Sequence, residues 1–155
     1  MKIDLFSAEE KLKFIIFLQH YINDNVSKIN LQMKQINESL QNETKSSAGD
    51  KFETAREMVT QEINKLGNQL TIYKSHQKQL EIISGKTNIA IGIGALFCTA
   101  QGLYFIGISL GKVVYGNFQI MVVSDDAPFA KIFKGKKAND EVVFNERRHI
   151  IYWVC

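Results

Sequence analysis

From Ile15 onward the apolar positions Ile15, Leu18, Ile22, Val26, Ile29, Met33, Ile36 and Leu40 recur every three or four residues, the spacing that lines up one face of an α-helix. A second series, Val59, Ile63, Leu66, Leu70, Tyr73, Gln77 and Leu80, follows the same rule with Gln77 as its polar member. Two helices of about 30–35 residues, roughly 45–50 Å long, are predicted, each presenting one apolar seam. The polar run Asn42-Glu43-Thr44-Lys45-Ser46-Ser47-Ala48-Gly49-Asp50 breaks the pattern between them and reads as the tip of a hairpin. Folding back at that run sets Leu40 against Phe52, Met33 against Val59, Ile29 against Ile63 and Ile22 against Leu70, a single register that pairs nearly every seam residue. Asp50, with Glu53 three residues on, suits the N-terminal cap of the second helix.

After Ser84-Gly85-Lys86, where a glycine falls at the place of a left-handed helix stop, the period changes to short β-like runs. Strands are predicted at Ile89–Thr99, Leu103–Ser109, Val113–Tyr115, Gln119–Val123, Glu141–Phe144 and His149–Val154. One short helix is expected from Pro128 to about Lys134, with Asp125 or Asp126 available to cap it. The fold class is therefore α+β: an antiparallel coiled-coil hairpin over residues 1–85 and a small β-rich domain over residues 86–155.

Of the 155 residues 45% are hydrophobic and 23% charged, with a single proline, a composition that folds rather than one that stays disordered. Residues 1–85 hold 11 Lys/Arg and 11 Asp/Glu, and residues 86–155 hold 8 and 5, so the net +3 lies wholly in the C-terminal part. That excess is too small for a free-standing nucleic-acid binder and favours a protein partner. Cys98 and Cys155 lack the spacing of a metal site and are expected to be reduced thiols. Thr87–Gly111 carries no charge over a length that would cross a membrane. Its glycines and the central Gln101-Gly102 nevertheless fit a buried β-hairpin better than a helix. The N-terminus lacks a secretory signal, and the cytoplasm is the expected compartment.

The segment Ala127-Pro128-Phe129-Ala130-Lys131-Ile132-Phe133-Lys134-Gly135-Lys136-Lys137-Ala138-Asn139-Asp140-Glu141-Val142 resembles the C-terminal signature of the bacterial Gre transcription elongation (transcript cleavage) factors. In that family a Ser-Pro-led helix ends in Leu-x-Gly-Lys and a Gly-Asp turn enters a strand, within a domain folded like the FK506-binding proteins. Pro128, Gly135, Lys136, Asp140 and Val142 match in type and spacing. Ala127 replaces the family's serine and Asn139 the turn glycine, a mild change because asparagine also visits the left-handed region. The family also carries an N-terminal helical hairpin, so the resemblance spans nearly the whole chain.

The resemblance implies a protein that acts on RNA polymerase rather than an independent enzyme. In Gre factors the hairpin enters the polymerase's secondary channel, and acids at its tip help to hold a Mg²⁺ that activates water to cut backtracked RNA. Anchoring on Phe52 and Ala55-Arg56-Glu57 places those acids on Lys45 and Ala48, neither of which is a metal ligand. Glu43 and Asp50 lie at the same tip and are the candidate catalytic and Mg²⁺-binding residues within a polymerase complex, with no cofactor bound alone. Ser46, Ser47, Lys134, Lys136 and Lys137 are the candidate partner-binding residues. A monomer is expected, touching RNA or DNA only through the polymerase.

Other features read as structural. The hairpin brings His20 near His76, but without carboxylate or cysteine companions they make a poor zinc site, and His149 lies apart. Gly92-Ile93-Gly94 and Gly107–Lys112 lack the full dinucleotide and phosphate-loop motifs. Alternatives remain: a secondary-channel regulator without cleavage, a coiled-coil adaptor anchored to a membrane by Thr87–Gly111, or a prolyl isomerase. The isomerase would require an open aromatic-lined pocket in the β-rich domain.

Overall fold

The computed structural model describes residues 6–44, 50–83 and 87–155, with side chains over 6–42, 53–83 and 87–155. Helices α1 (Ala8–Thr44) and α2 (Asp50–Ile83) precede strands β1 (Leu96–Thr99), β2 (Gly102–Gly107), β3 (Gly111–Tyr115) and β4 (Phe118–Ser124). Helix α3 (Pro128–Phe133) and strands β5 (Glu141–Phe144) and β6 (Arg147–Val154) complete the chain. Two compact units emerge: His20–Gln77 forms one, and the residues flanking it on both sides form the other.

In the His20–Gln77 unit the two helices pack as a hairpin, and the apolar periodicity becomes its seam. Ile22, Ile29 and Leu66 are buried, while Val26, Met33, Ile36, Leu40, Val59, Ile63, Leu70 and Tyr73 are half-buried. The helices extend further toward the tip than expected, α1 continuing through Thr44 and α2 starting at Asp50. The register differs from expectation. Gln77 Nε2 donates to Asn23 Oδ1 at 2.6 Å, and Ile36 and Leu40 share a cavity of about 370 Å³ with Val59 and Leu66. Leu40 therefore lies across from Val59 rather than Phe52, a slip of about one heptad.

In the other unit, α1 opens with a reciprocal capping box: Ser7 N–H donates to Glu10 Oε2 at 2.8 Å and Glu10 N–H to Ser7 Oγ at 3.1 Å. The two bonds satisfy amides that have no partner inside the helix. The six strands form one sheet in the order β3-β4-β2-β1-β6-β5. Only β2 and β4 run parallel, the remaining neighbours being antiparallel. Thr99 pairs with Gly102 across the β1–β2 turn, so part of the uncharged run is the hairpin that its glycines suggested. The strand expected over Ile89–Thr99 begins only at Leu96, however. Residues 89–94 form bends and a turn, with Gly94 at φ 86 donating to Ile106 O at 2.7 Å. No helix among the described residues is long and apolar enough to cross a membrane.

Period-two alternation gives the sheet two apolar faces. On one, Phe14 is fully buried with ring centroids 5.5 Å from Phe105 and 5.3 Å from Tyr115, so the early turns of α1 cover this face. On the other, Phe97, Ile106 and Ile151 pack with Ala130 and Phe133 of α3 and Val142 of β5. A bulge distributes β6 between the faces: Thr99 pairs with Ile151 but Cys98 with Trp153, which inserts one extra residue. Trp153 is thereby turned toward Phe6, against which it stacks at 5.7 Å. Helix α3 begins after Ala127 with no side-chain cap. Neither Asp125 nor Asp126 takes that role; instead Asp126 N–H donates to Ser124 Oγ at 3.3 Å. Proline at the first position already lacks one of the amides that a cap would satisfy.

Candidate functional site

The candidate tip acids flank the interval between the helices. Glu43 belongs to the last turn of α1 and Asp50 is the first residue of α2; their side chains, and Ser46 and Ser47 altogether, lie outside the described residues. The same holds for the expected helix stop at Ser84-Gly85-Lys86. Among the described residues no three His, Cys, Asp or Glu side chains converge as a metal site.

The lysines of the C-terminal segment are placed by backbone bonds. Gly135, at φ 82, reverses the chain after α3. The Gly135 N–H then donates to Ile91 O, and the Ile91 N–H to Lys136 O, both at 2.8 Å. Asn139 takes the left-handed conformation at φ 74, as its position in the glycine slot of the turn suggested. Lys137 N–H donates to Asp140 Oδ2 at 2.8 Å, closing the turn, and Asn139 N–H donates to Ile151 O at 2.7 Å. Lys134, Lys136 and Lys137 are all exposed on this loop. It presents three ammonium groups on a backbone fixed to β6 and to Ile91.

A cavity of about 470 Å³ opens on the α3 face of the sheet, where the short helix leaves β2 and β4 uncovered. Its apolar wall is Tyr104, Met121, Val123, Phe129 and Phe144. Phe129 stacks on Tyr104 at 4.6 Å and on Phe133 at 4.4 Å, and meets Phe144 edge-on at 5.2 Å, within the usual range for paired rings. The polar lining is Gln101, Asn145, Arg147 and His149.

His149 is buried, with Nδ1 3.2 Å from Thr99 Oγ1, which also accepts from Gln101 N–H at 3.1 Å. Burial, aided by the Arg147 charge, lowers the His149 pKa from its usual value and holds the ring neutral. The Tyr104 pKa is pushed up by burial, against the opposing effects of the Thr99 side chain and of Arg147. Such a constellation can bind: it offers aromatic surface, neutral polar groups and one fixed positive charge. It contains neither a carboxylate base nor a nucleophile. The open aromatic pocket that an isomerase would need is thus present.

This pocket is not visible in the linear sequence because its residues come from the β1–β2 turn, β2, β4, α3, β5, the β5–β6 turn and β6. The only local signal was period-two alternation, which puts Arg147 and His149 on one side of β6 and Arg148 on the other. The two cysteines form no disulfide. Burial raises both thiol pKa values, that of Cys155 being partly offset by Lys11, so neither is an activated nucleophile. His76, in the helical unit, is buried with Nδ1 unpartnered, and burial lowers its pKa.

Neither a family profile nor a curated protein matches the sequence. Among solved structures, one described as "Structure of the transcription factor Gfh1" is similar, at 17% identity over 87% of this chain and 90% of that one, with a TM-score of 0.35. Likeness at that level assigns no function. The structure comprises a helical hairpin, a β-rich unit carrying a lysine loop, and an aromatic cavity.

Proposed function

We propose that this chain is a Gre-like factor that binds RNA polymerase, inserting the hairpin tip into the secondary channel and docking the β-rich unit on the channel's rim. The observation that carries the reading is the segment after Pro128. The residues that resemble the Gre signature form one built turn, with Asn139 left-handed in the place of the family's glycine and Lys134, Lys136 and Lys137 exposed beside it. A two-helix hairpin ahead of a β-rich unit with a single short helix is the expected companion of that signature. The division at residues 1–85 and 86–155, an FK506-binding-protein-like topology for the second part, and a monomeric, cytoplasmic protein belong to the same reading.

In this proposal Ser46 and Ser47 contact the channel wall, and the lysine loop meets an acidic patch on the polymerase. Glu43 and Asp50 are the tip acids available to help hold a Mg²⁺ supplied within the polymerase complex, since carboxylate oxygens are the ligands such an ion prefers. Lys45 and Ala48, at the family's acidic positions, favour the variant in which the hairpin occupies the channel and modulates elongation without stimulating cleavage.

Gel filtration of the protein with its own organism's core polymerase, with and without a competitor that fills the secondary channel, tests the reading. Competitive co-elution is expected. No complex at micromolar concentration would reduce the resemblance to shared architecture and favour a coiled-coil adaptor. Where a complex forms, replacing Glu43 and Asp50 together by alanine should abolish any stimulated cleavage, and unchanged cleavage would remove both from the mechanism.

A further inference from the structure

We propose that the cavity on the α3 face of the sheet is a binding site for a small aromatic anion, a planar ring carrying a carboxylate or a phosphate group. The inference is independent of the polymerase reading. Charge is the first argument. Arg148, on the outer side of β6, is engaged by Glu141 through two hydrogen bonds of 2.6 and 2.8 Å. Arg147, one residue earlier and on the pocket side, has no ion-pair partner among the described residues. A second hollow of about 320 Å³, which shares Gln101, Tyr104 and Met121 with the cavity, is lined by Lys112, likewise without an ion pair among the described residues. Two cations and no carboxylate thus line the two adjoining hollows. A guanidinium there offers the planar fork that receives carboxylate or phosphate through paired hydrogen bonds.

Shape is the second argument. Tyr104, Phe129 and Phe144 pack against one another, stacked and edge-on, and so form a continuous aromatic wall against which a further ring can pack. The volume of about 470 Å³ also falls in the range of small-molecule sites, roughly 300–1,000 Å³.

The rim supplies the third argument. The β5–β6 turn holds Asn145 at φ 49 and Glu146 at φ 64, and a glutamate side chain is disfavoured in that region. A turn of this kind sets Phe144 on one flank and Arg147 on the other, and strain retained at the mouth of a pocket is a common mark of a site. His149, buried and within 3.2 Å of the Thr99 hydroxyl through Nδ1, supplies a fixed polar floor.

The test is a calorimetric titration of the full chain with N-acetylphenylalanine against its amide, and with uridine monophosphate against uridine, followed in parallel by amide NMR shifts. One anion is expected to bind about tenfold or more tightly than its neutral counterpart, the difference that a charge-assisted pair supplies. The pair that discriminates identifies carboxylate or phosphate as the source. Arg147→Gln should remove the discrimination, Arg147→Lys should restore part of it, and Arg148→Gln should leave it unchanged, which controls for folding. The proposal is overturned if no anion binds at millimolar concentration, if neutral and anionic probes bind alike, or if Arg147→Gln binds as tightly as the parent.

Discussion

Replacing Phe14 with alanine should unfold the β-rich unit at markedly lower denaturant, because this ring is the main anchor between the first turns of α1 and the sheet. Phe14 is fully buried, as are Leu18 and Phe105, and its ring lies 5.5 Å from Phe105 and 5.3 Å from Tyr115. Neighbours so enclosed collapse poorly into a void, which places the loss near the middle of the range for Phe→Ala, about 4 kcal/mol. With a urea dependence of about 2 kcal/mol per molar for a small domain, the midpoint should fall by about 2 M. Trp153, the only tryptophan, reports on this unit through its stacking with Phe6, so its fluorescence follows the transition. Leu12→Ala, on the outer side of the same helix at 41% exposure, should shift stability by only about 0.5 kcal/mol. A Phe14→Ala midpoint no lower than that of Leu12→Ala would refute the claim that α1 is fastened to the sheet through this ring.

Acid should weaken the fold through two histidines. Both His76 and His149 have pKa values lowered by burial, so their neutral forms are favoured in the native state. The associated stability is fully present above the unfolded value near 6.5 and is lost as pH falls from there through the lower folded values. Urea midpoints measured from pH 7.5 down to pH 5 should decline, and His76→Leu, which also removes the unpartnered Nδ1, should flatten part of that decline. Asn139→Ala should cost about 1 kcal/mol, since φ 74 lies in the left-handed region, which asparagine enters more readily than alanine, while Asn139→Gly should be neutral within about 0.5 kcal/mol; thermal midpoints compare the two. Glu146→Gly should stabilise the β5–β6 turn by about 1 kcal/mol, because two consecutive left-handed residues favour glycine at the second place. Equal denaturation curves for parent and variant would count against that turn geometry.

Local signals made most of the fold legible. Glycine and asparagine positions marked the reversals, apolar alternation found the C-terminal strands, and the bounds of β5 match those read from the sequence. The capping box Ser7-Ala8-Glu9-Glu10 was equally readable, and it places the start of α1 a full turn or more before the first seam residue. What alternation cannot supply is which strands become neighbours. The parallel pairing of β2 with β4 and the bulge that turns Trp153 over depend on contacts distant in sequence, and the aromatic cavity depends on both. Ile89–Gly94 shows the converse error: its β-branched residues suggested a strand, but Gly94 at φ 86 breaks the run before it can pair.

The hairpin register shows how a correct pattern can still be placed wrongly. A heptad seam repeats, so sliding one helix by about seven residues sets apolar positions against apolar positions again, and the apolar residues alone cannot choose between the two arrangements. The polar exception can. In the register first expected, Gln77 would face Ile15, which is fully enclosed at 1% exposure, and its amide would lie against hydrocarbon. An unpaired buried amide costs about 1–3 kcal/mol, more than a slip of equivalent apolar pairs can return. Moved by one heptad, Gln77 reaches Asn23 beside the seam and donates to it at 2.6 Å. The residue that interrupts the apolar pattern is thus the one that specifies the pairing, and a register read from a seam should begin from its polar member.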